Sequence, residues 1–277
     1  MSELSVASAD GPILAGEQGG EGSAVVLLHG LTATRRYVVM GSKALERSGH
    51  RVISYDARGH GRSEPAPARA YGYEHLAADL LAVLDAAGVE RALLAGASMG
   101  AHTAVRFALE HPERVSALAL ITPAYQPGPR TSEDLAHWDA LARGLREEGI
   151  DGFVRANHVE ALPAAWRATV ETVLRQRMAA HEHPEAVADA LEVVPRSAPF
   201  EDLAQLSALE MPTVVVASRD QADPGHPLAV AETYAQLIAD GRLVVEQDGD
   251  PPRSPIAWQG GQLSKVIAAL AARGEAA

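Results

Sequence analysis

Hydrophobic positions along the chain follow two alternating patterns. Short apolar runs, AVVLL (24–28), RVISY (51–55), RALLA (91–95), VSALALI (115–121), TVVVA (213–217) and LVVE (243–246), are each bounded by turn residues. Runs of that length without polar alternation predict strands buried on both faces, as in a parallel sheet. Between most of them the period changes to that of a helix. Over 73–87, Leu76, Leu80, Val83, Leu84 and Ala87 share one stripe, and Gly88 follows where a helix would terminate. Strand and helix in alternation predict an α/β domain with right-handed crossovers. The opening ELSVASADGPILAG alternates differently, turns at Asp10-Gly11, and predicts a hairpin at the sheet edge.

The rhythm breaks between Pro123 and Met211, where no strand pattern occurs. Helical patterns occupy 131–148, 150–158, 164–181 and 184–193, and in the third Trp166, Val170, Val173 and Leu174 make an apolar face. A segment of this length is too long for a loop. It predicts a helical cap at 124–209 over one end of the sheet, with the core formed by 1–123 and 210–277.

Composition narrows the function. The 277 residues are 47% hydrophobic and 22% charged, as expected for one large domain carrying an insertion. A net charge of -12 and the lack of a basic tract argue against a nucleic-acid partner. The chain has no cysteine, which excludes disulfides, thiolate metal sites and a cysteine nucleophile. The start, MSELSVASADG, lacks a basic stretch followed by an apolar one, and no run approaches a membrane span. The expectation is a cytoplasmic protein that binds a small molecule and no membrane. No dinucleotide fingerprint is present. His181-Glu182-His183 reads as a solvated surface turn in preference to a metal site, so neither cofactor nor metal is expected.

The chemistry concentrates in LLAGASMGAHTA (93–104). Gly96-Ala97-Ser98-Met99-Gly100 closes one predicted strand and opens a helix, the Gly-x-Ser-x-Gly arrangement of a nucleophile elbow. So tight a turn needs small flanking residues and pushes the Ser98 hydroxyl above the carboxyl ends of the strands. The Met99 amide, at the helix N-terminus, points to the same space. In LLHGLTAT (27–34) the chain turns after His29-Gly30, and an amide there, Leu31 foremost, is the candidate second oxyanion donor. His29 reads as a bond to loop backbone rather than a base. YDARGHGRS (55–63), with Asp56 and Arg58, reads as a turn pinned by internal polar bonds.

HGLTAT, DARGHGRS and GASMG, in this order and at these intervals, resemble the α/β-hydrolase superfamily, in its lidded, esterase- or lipase-like branch. The similarity covers about residues 20–123 and 210–272 and is weaker over the cap. It implies an α/β-hydrolase fold: a mostly parallel sheet with helices on both faces and a helical lid inserted before the penultimate strand. It also implies Ser98 as nucleophile, the Leu31 and Met99 amides as oxyanion donors, an acid after the penultimate strand and a histidine after the last. For the acid, Asp220 matches the usual offset, with Asp223 as the alternative.

The histidine is where the pattern departs. LVVEQDGDPPRSPIAWQGG offers Gly249-Asp250 where a Gly-His pair belongs, and His226 is the final histidine of the chain. A serine hydroxyl needs a base to take its proton. His226, on the acid loop, is the preferred replacement. His102 is expected to point into helix packing, and the cap histidines His137, His158, His181 and His183, or Asp250 as a carboxylate base, are further alternatives. The reading is a serine hydrolase of a small ester or other acyl compound, with a catalytically impaired ligand-binding relative, or a lyase or other cofactor-free enzyme on the same scaffold, as alternatives.

Overall fold

A computed structural model of the protein describes residues 2–219, 223, 225–246 and 258–274. Among the described residues, eight strands form one sheet in the order β1-β2-β4-β3-β5-β6-β7-β8. The opening segment is the expected hairpin: β1 (Ser2–Ala7) and β2 (Ile13–Gly19) pair antiparallel at the edge. β2 joins β4 (His50–Tyr55) antiparallel. Every later pair, through β3 (Ser23–Leu28), β5 (Ala92–Ala97), β6 (Val115–Ile121), β7 (Thr213–Ala217) and β8 (Gly241–Val245), is parallel.

The apolar runs behave as strands covered on both faces, with one exception. β6 and β7 are buried almost throughout, whereas Arg242 and Leu243 of β8 are exposed. Among the described residues β8 is the terminal strand, flanked only by β7, so its apolar run lacks the cover an interior position supplies. α1 (Ala44–Arg47) and α8 (Gly260–Gly274) pack on one face of the sheet. α2 (Tyr73–Ala86), α3 (Met99–Glu110) and α7 (Leu228–Leu237) pack on the other. Leu80, Val83, Leu84 and Phe107 form the centre of this second layer.

The helical insertion lies between β6 and β7 and contains α4 (Ser132–Ala156), α5 (Ala164–Met178) and α6 (Pro184–Val193). The two predicted helices 131–148 and 150–158 form one kinked element, with Gly149 at φ 62° and ψ -142°. That left-handed φ suits glycine and interrupts the helical hydrogen bonding there. α5 ends at Met178, three residues before the expected limit, and its predicted apolar face is only half-buried. Cap and core share one apolar cluster. Leu141, Leu145, Phe153, Met178 and Leu191 of the insertion pack with Leu31, Tyr73, Leu76 and Met99 of the core. Among the described residues, no helix is long and apolar enough to cross a membrane.

Candidate active site

The site forms at the carboxyl ends of the parallel strands, where a doubly wound sheet places its ligand crevice. β5 ends at Ala97, α3 begins at Met99, and Ser98 makes the turn between them at φ 50° and ψ -112°. A non-glycine residue at positive φ outside a regular left-handed turn is strained, by about 1–3 kcal/mol. The surrounding contacts enforce it. A Cβ on Gly96 would stand 2.2 Å from Gly100 O, and one on Gly100 would stand 2.2 Å from Leu28 O. Both flanking glycines are therefore required by close backbone approach. The Ser98 amide is tied to Ile121 O at 2.9 Å.

Ser98 Oγ lies 2.9 Å from Nε2 of His226, within ordinary hydrogen-bond range. On the other side of the ring, Nδ1 lies 2.8 Å and 2.9 Å from the two carboxylate oxygens of Asp223. The local chain explains how one short loop supplies both groups. The His226 amide donates to Asp223 O at 3.1 Å, closing a turn that brings side chains three residues apart together. Pro227 then leads into α7. With Nδ1–H donated to Asp223, the Nε2 lone pair faces the serine hydroxyl. His226 and Asp223 are each about one-quarter to one-third exposed, so the pair remains open to a ligand. Asp220, the acid preferred from its offset, and Asp250 lie outside the described residues.

The oxyanion candidates flank the serine. The Met99 amide is the first of α3 and has no acceptor within the helix. The Leu31 amide follows Gly30, whose Cβ, if present, would sit 3.5 Å from Ser98 Cβ, so this loop passes directly against Ser98. The Leu31 and Met99 side chains are both buried under the insertion.

The remaining histidines do other work. His102 Nδ1 is 3.0 Å from Tyr73 OH, and its Nε2 accepts the amides of Ala124 (3.0 Å) and Tyr125 (3.1 Å). Burial, then the neighbouring His226, lowers its pKa to about 3, so the ring is neutral and structural. His29 accepts the Ala57 amide at 2.9 Å and donates to Gly30 O at 2.8 Å. Burial, then His60, lowers its pKa to about 3. His137 and His158 are exposed and His183 is half-buried. The expectation of a solvated turn at 181–183 fails for His181, which is 8% exposed. Its Nδ1 accepts the Gly61 amide at 2.9 Å, because the insertion returns against the 56–63 turn there. Sequence reasoning also gave His60 no role. Its ring is buried between Arg58 O (2.9 Å) and Leu31 O (2.7 Å). The sequence signal for His60 was its place within YDARGHGRS; none pointed to the burial of His181.

The 56–63 turn is pinned partly by internal polar bonds, such as Ser63 Oγ–H to Asp56 O at 2.6 Å, and largely by bonds to residues outside it. Asp56 accepts the Arg35 and Arg62 amides at 2.8 and 3.1 Å and pairs with the Arg35 guanidinium. Arg58, fully buried, bonds Asp79 at 2.7–2.8 Å, Asp10 at 2.8 Å and Ala70 O at 2.8 Å. These carboxylates offset the desolvation of the guanidinium and hold its pKa above the ordinary value. Among the described residues no group of acidic and histidine side chains could hold a metal ion.

A β5-serine-α3 elbow, two candidate oxyanion amides and a helical insertion between β6 and β7 define a class, and the chain belongs to it: residues 23–251 match the family described as the alpha/beta hydrolase fold. Within it, the chain is similar to a protein named as a carbamate hydrolase, RutD, of Variovorax paradoxus, at 32% identity over 80% of each chain. It is also similar to a 2-hydroxy-6-oxononadienedioate/2-hydroxy-6-oxononatrienedioate hydrolase of Pseudomonas putida, at 33% identity over 73% of this chain and 72% of that one. Among solved structures, a thermophilic esterase from Thermogutta terrifontis, with malate bound, superposes with a TM-score of 0.79, at 25% identity and 99% coverage of both chains.

Proposed function

We propose that the protein is a serine hydrolase of a small ester or related acyl compound, with Ser98 as nucleophile, His226 as base and Asp223 as the acid that orients it. The observation that carries this reading is the 2.9 Å approach of His226 Nε2 to Ser98 Oγ with Asp223 on the opposite ring nitrogen. Ser98 Oγ–H gives its proton to Nε2 as the oxygen attacks the carbonyl carbon. The alkoxide that develops on the carbonyl oxygen is received by the Leu31 and Met99 amides. The imidazolium then protonates the leaving group, and a water, deprotonated by the same ring, releases the acyl group from Ser98.

The names of the relatives, an esterase, a carbamate hydrolase and an oxo-dienedioate hydrolase, support hydrolysis at a carbonyl centre without fixing the substrate. The absent C-terminal histidine favoured a protein with impaired turnover. The contact of His226 with Ser98 supports a base supplied by the acid loop and so an active enzyme. In this arrangement acid and base come from one turn, Asp223-x-x-His226, in place of two separate loops.

The test is hydrolysis of p-nitrophenyl acetate by the wild type, Ser98→Ala and His226→Ala. Loss of the nucleophile or the base is expected to lower kcat by roughly 10⁴-fold or more. Full activity in Ser98→Ala would remove the reading. Full activity in His226→Ala alone would remove His226 as base.

A further inference from the structure

The loop that carries the Leu31 amide is held at three consecutive carbonyls by three different imidazoles. His29 Nδ1 lies 2.8 Å from Gly30 O, His60 Nε2 lies 2.7 Å from Leu31 O, and His181 Nε2 lies 3.3 Å from Thr32 O. The outer two tautomers follow from donors on the opposite nitrogens. Ala57 N–H donates to His29 Nε2 and Gly61 N–H to His181 Nδ1, each at 2.9 Å, so both rings carry their proton toward the loop. His60 faces a carbonyl on each nitrogen, and its shorter contact is the one to Leu31 O. The rings stand in sequence, with centroids 5.2 Å apart from His29 to His60 and 5.6 Å from His60 to His181.

A carbonyl and the amide that follows it share one rigid plane and point in opposite directions. Holding Gly30 O therefore aims Leu31 N–H, and holding Leu31 O and Thr32 O fixes the next two planes. His29 and His60 belong to the core, whereas His181 comes from the insertion, just past α5. Arg177, one helical turn earlier, donates to Thr32 Oγ1 at 2.7 Å. The carbonyl and the hydroxyl of Thr32 are thus both engaged by the insertion. The shared apolar cluster already attaches the insertion to the core. Attachment alone does not require buried polar rings, whose bonds are directional and costly to leave unmade.

We propose that His181 is a positioning residue: through Thr32 O it lets the insertion set the backbone of the oxyanion loop, so the catalytic site is complete only when the end of α5 is seated. The proposal rests on the serine-hydrolase reading. His181→Asn keeps an acceptor for Gly61 N–H but is too short to reach Thr32 O as well. With p-nitrophenyl acetate its kcat is expected to fall on the order of 10- to 100-fold with KM little changed, as for a sub-ångström misplacement of a catalytic donor. Affinity for benzeneboronic acid, whose tetrahedral serine adduct puts an oxygen between the amides, should fall in parallel. Wild-type kcat and boronate affinity in His181→Asn would overturn the proposal, as would a shift in KM alone. Nitrogen chemical shifts of His181 in the unmodified protein test it without a variant: a proton on Nε2 is expected, and a proton on Nδ1 would overturn it. Ser98→Ala distinguishes the two levels. If it hydrolyses the ester as well as the wild type, the underlying serine reading fails and this proposal with it; if it is inactive while His181→Asn is unaffected, only the positioning role fails.

Discussion

Acid should unfold this protein through its buried imidazoles. His29, His102 and His181 are each at most 8% exposed, and burial lowers each pKa to about 3 from an ordinary value of 6.5. In the unfolded chain all three take up a proton near pH 6.5, whereas the native state refuses it until about pH 3. A depressed native pKa contributes stability that is fully present above the unfolded value and is lost as pH falls toward the native one. Between about pH 5.5 and 4, these three rings alone therefore take up nearly three protons on unfolding, which lowers stability by about 4 kcal/mol per pH unit, and His60, whose pKa burial also lowers, acts in the same direction. From pH 7 to 4.5 the loss reaches about 8 kcal/mol, comparable with the whole 5–15 kcal/mol margin of a typical domain. Unfolding midpoints in urea, measured at constant ionic strength from pH 7 to 4.5, check this. His181→Asn removes one of these protons and should flatten the slope by about 1.4 kcal/mol per pH unit. Stability that stays level between pH 6.5 and 5, or a slope unchanged in His181→Asn, would refute the reasoning.

Two other perturbations follow from the same contacts. Gly100→Ala places a Cβ 2.2 Å from Leu28 O, against backbone that cannot simply swing aside, so it should displace the elbow and abolish ester hydrolysis, with a lower Tm by calorimetry. Arg58→Leu leaves the Asp79 carboxylate buried without its counter-charge, and urea denaturation should show a loss of about 3–5 kcal/mol with the Ser98–His226 geometry intact in residual folded protein.

Most of the scaffold was legible in the sequence because its signals are local. Uninterrupted apolar runs such as 115–121 and 213–217 have one cheap solution, a strand covered on both faces, and the glycines at 96 and 100 declare a turn whose backbone approach admits no Cβ. The half-exposed β8 was misjudged because the same run serves an edge strand as well as an interior one, and only pairing order separates them. The site was less legible for a related reason. Asp220 lies outside the described residues, and the bond of Asp223, the alternative acid, to His226 depends on a turn that joins residues 223 and 226, which spacing alone does not reveal. His181 sits beside Glu182 and Pro184, a composition typical of surface turns. Its burial arises from the return of the insertion onto Gly61, a contact between residues 120 positions apart. Long-range encounters of that kind leave no periodicity to read.

The central claim, that Ser98 is the nucleophile activated by His226 and Asp223, is tested most directly by trapping the acyl intermediate. The protein is mixed with p-nitrophenyl acetate, quenched in acid within the first turnover, digested, and the peptides weighed. An acetyl group on Ser98 is expected, abundant in the wild type and strongly reduced in His226→Ala. An acetyl group on another residue, or ester turnover with Ser98 never modified, would contradict it.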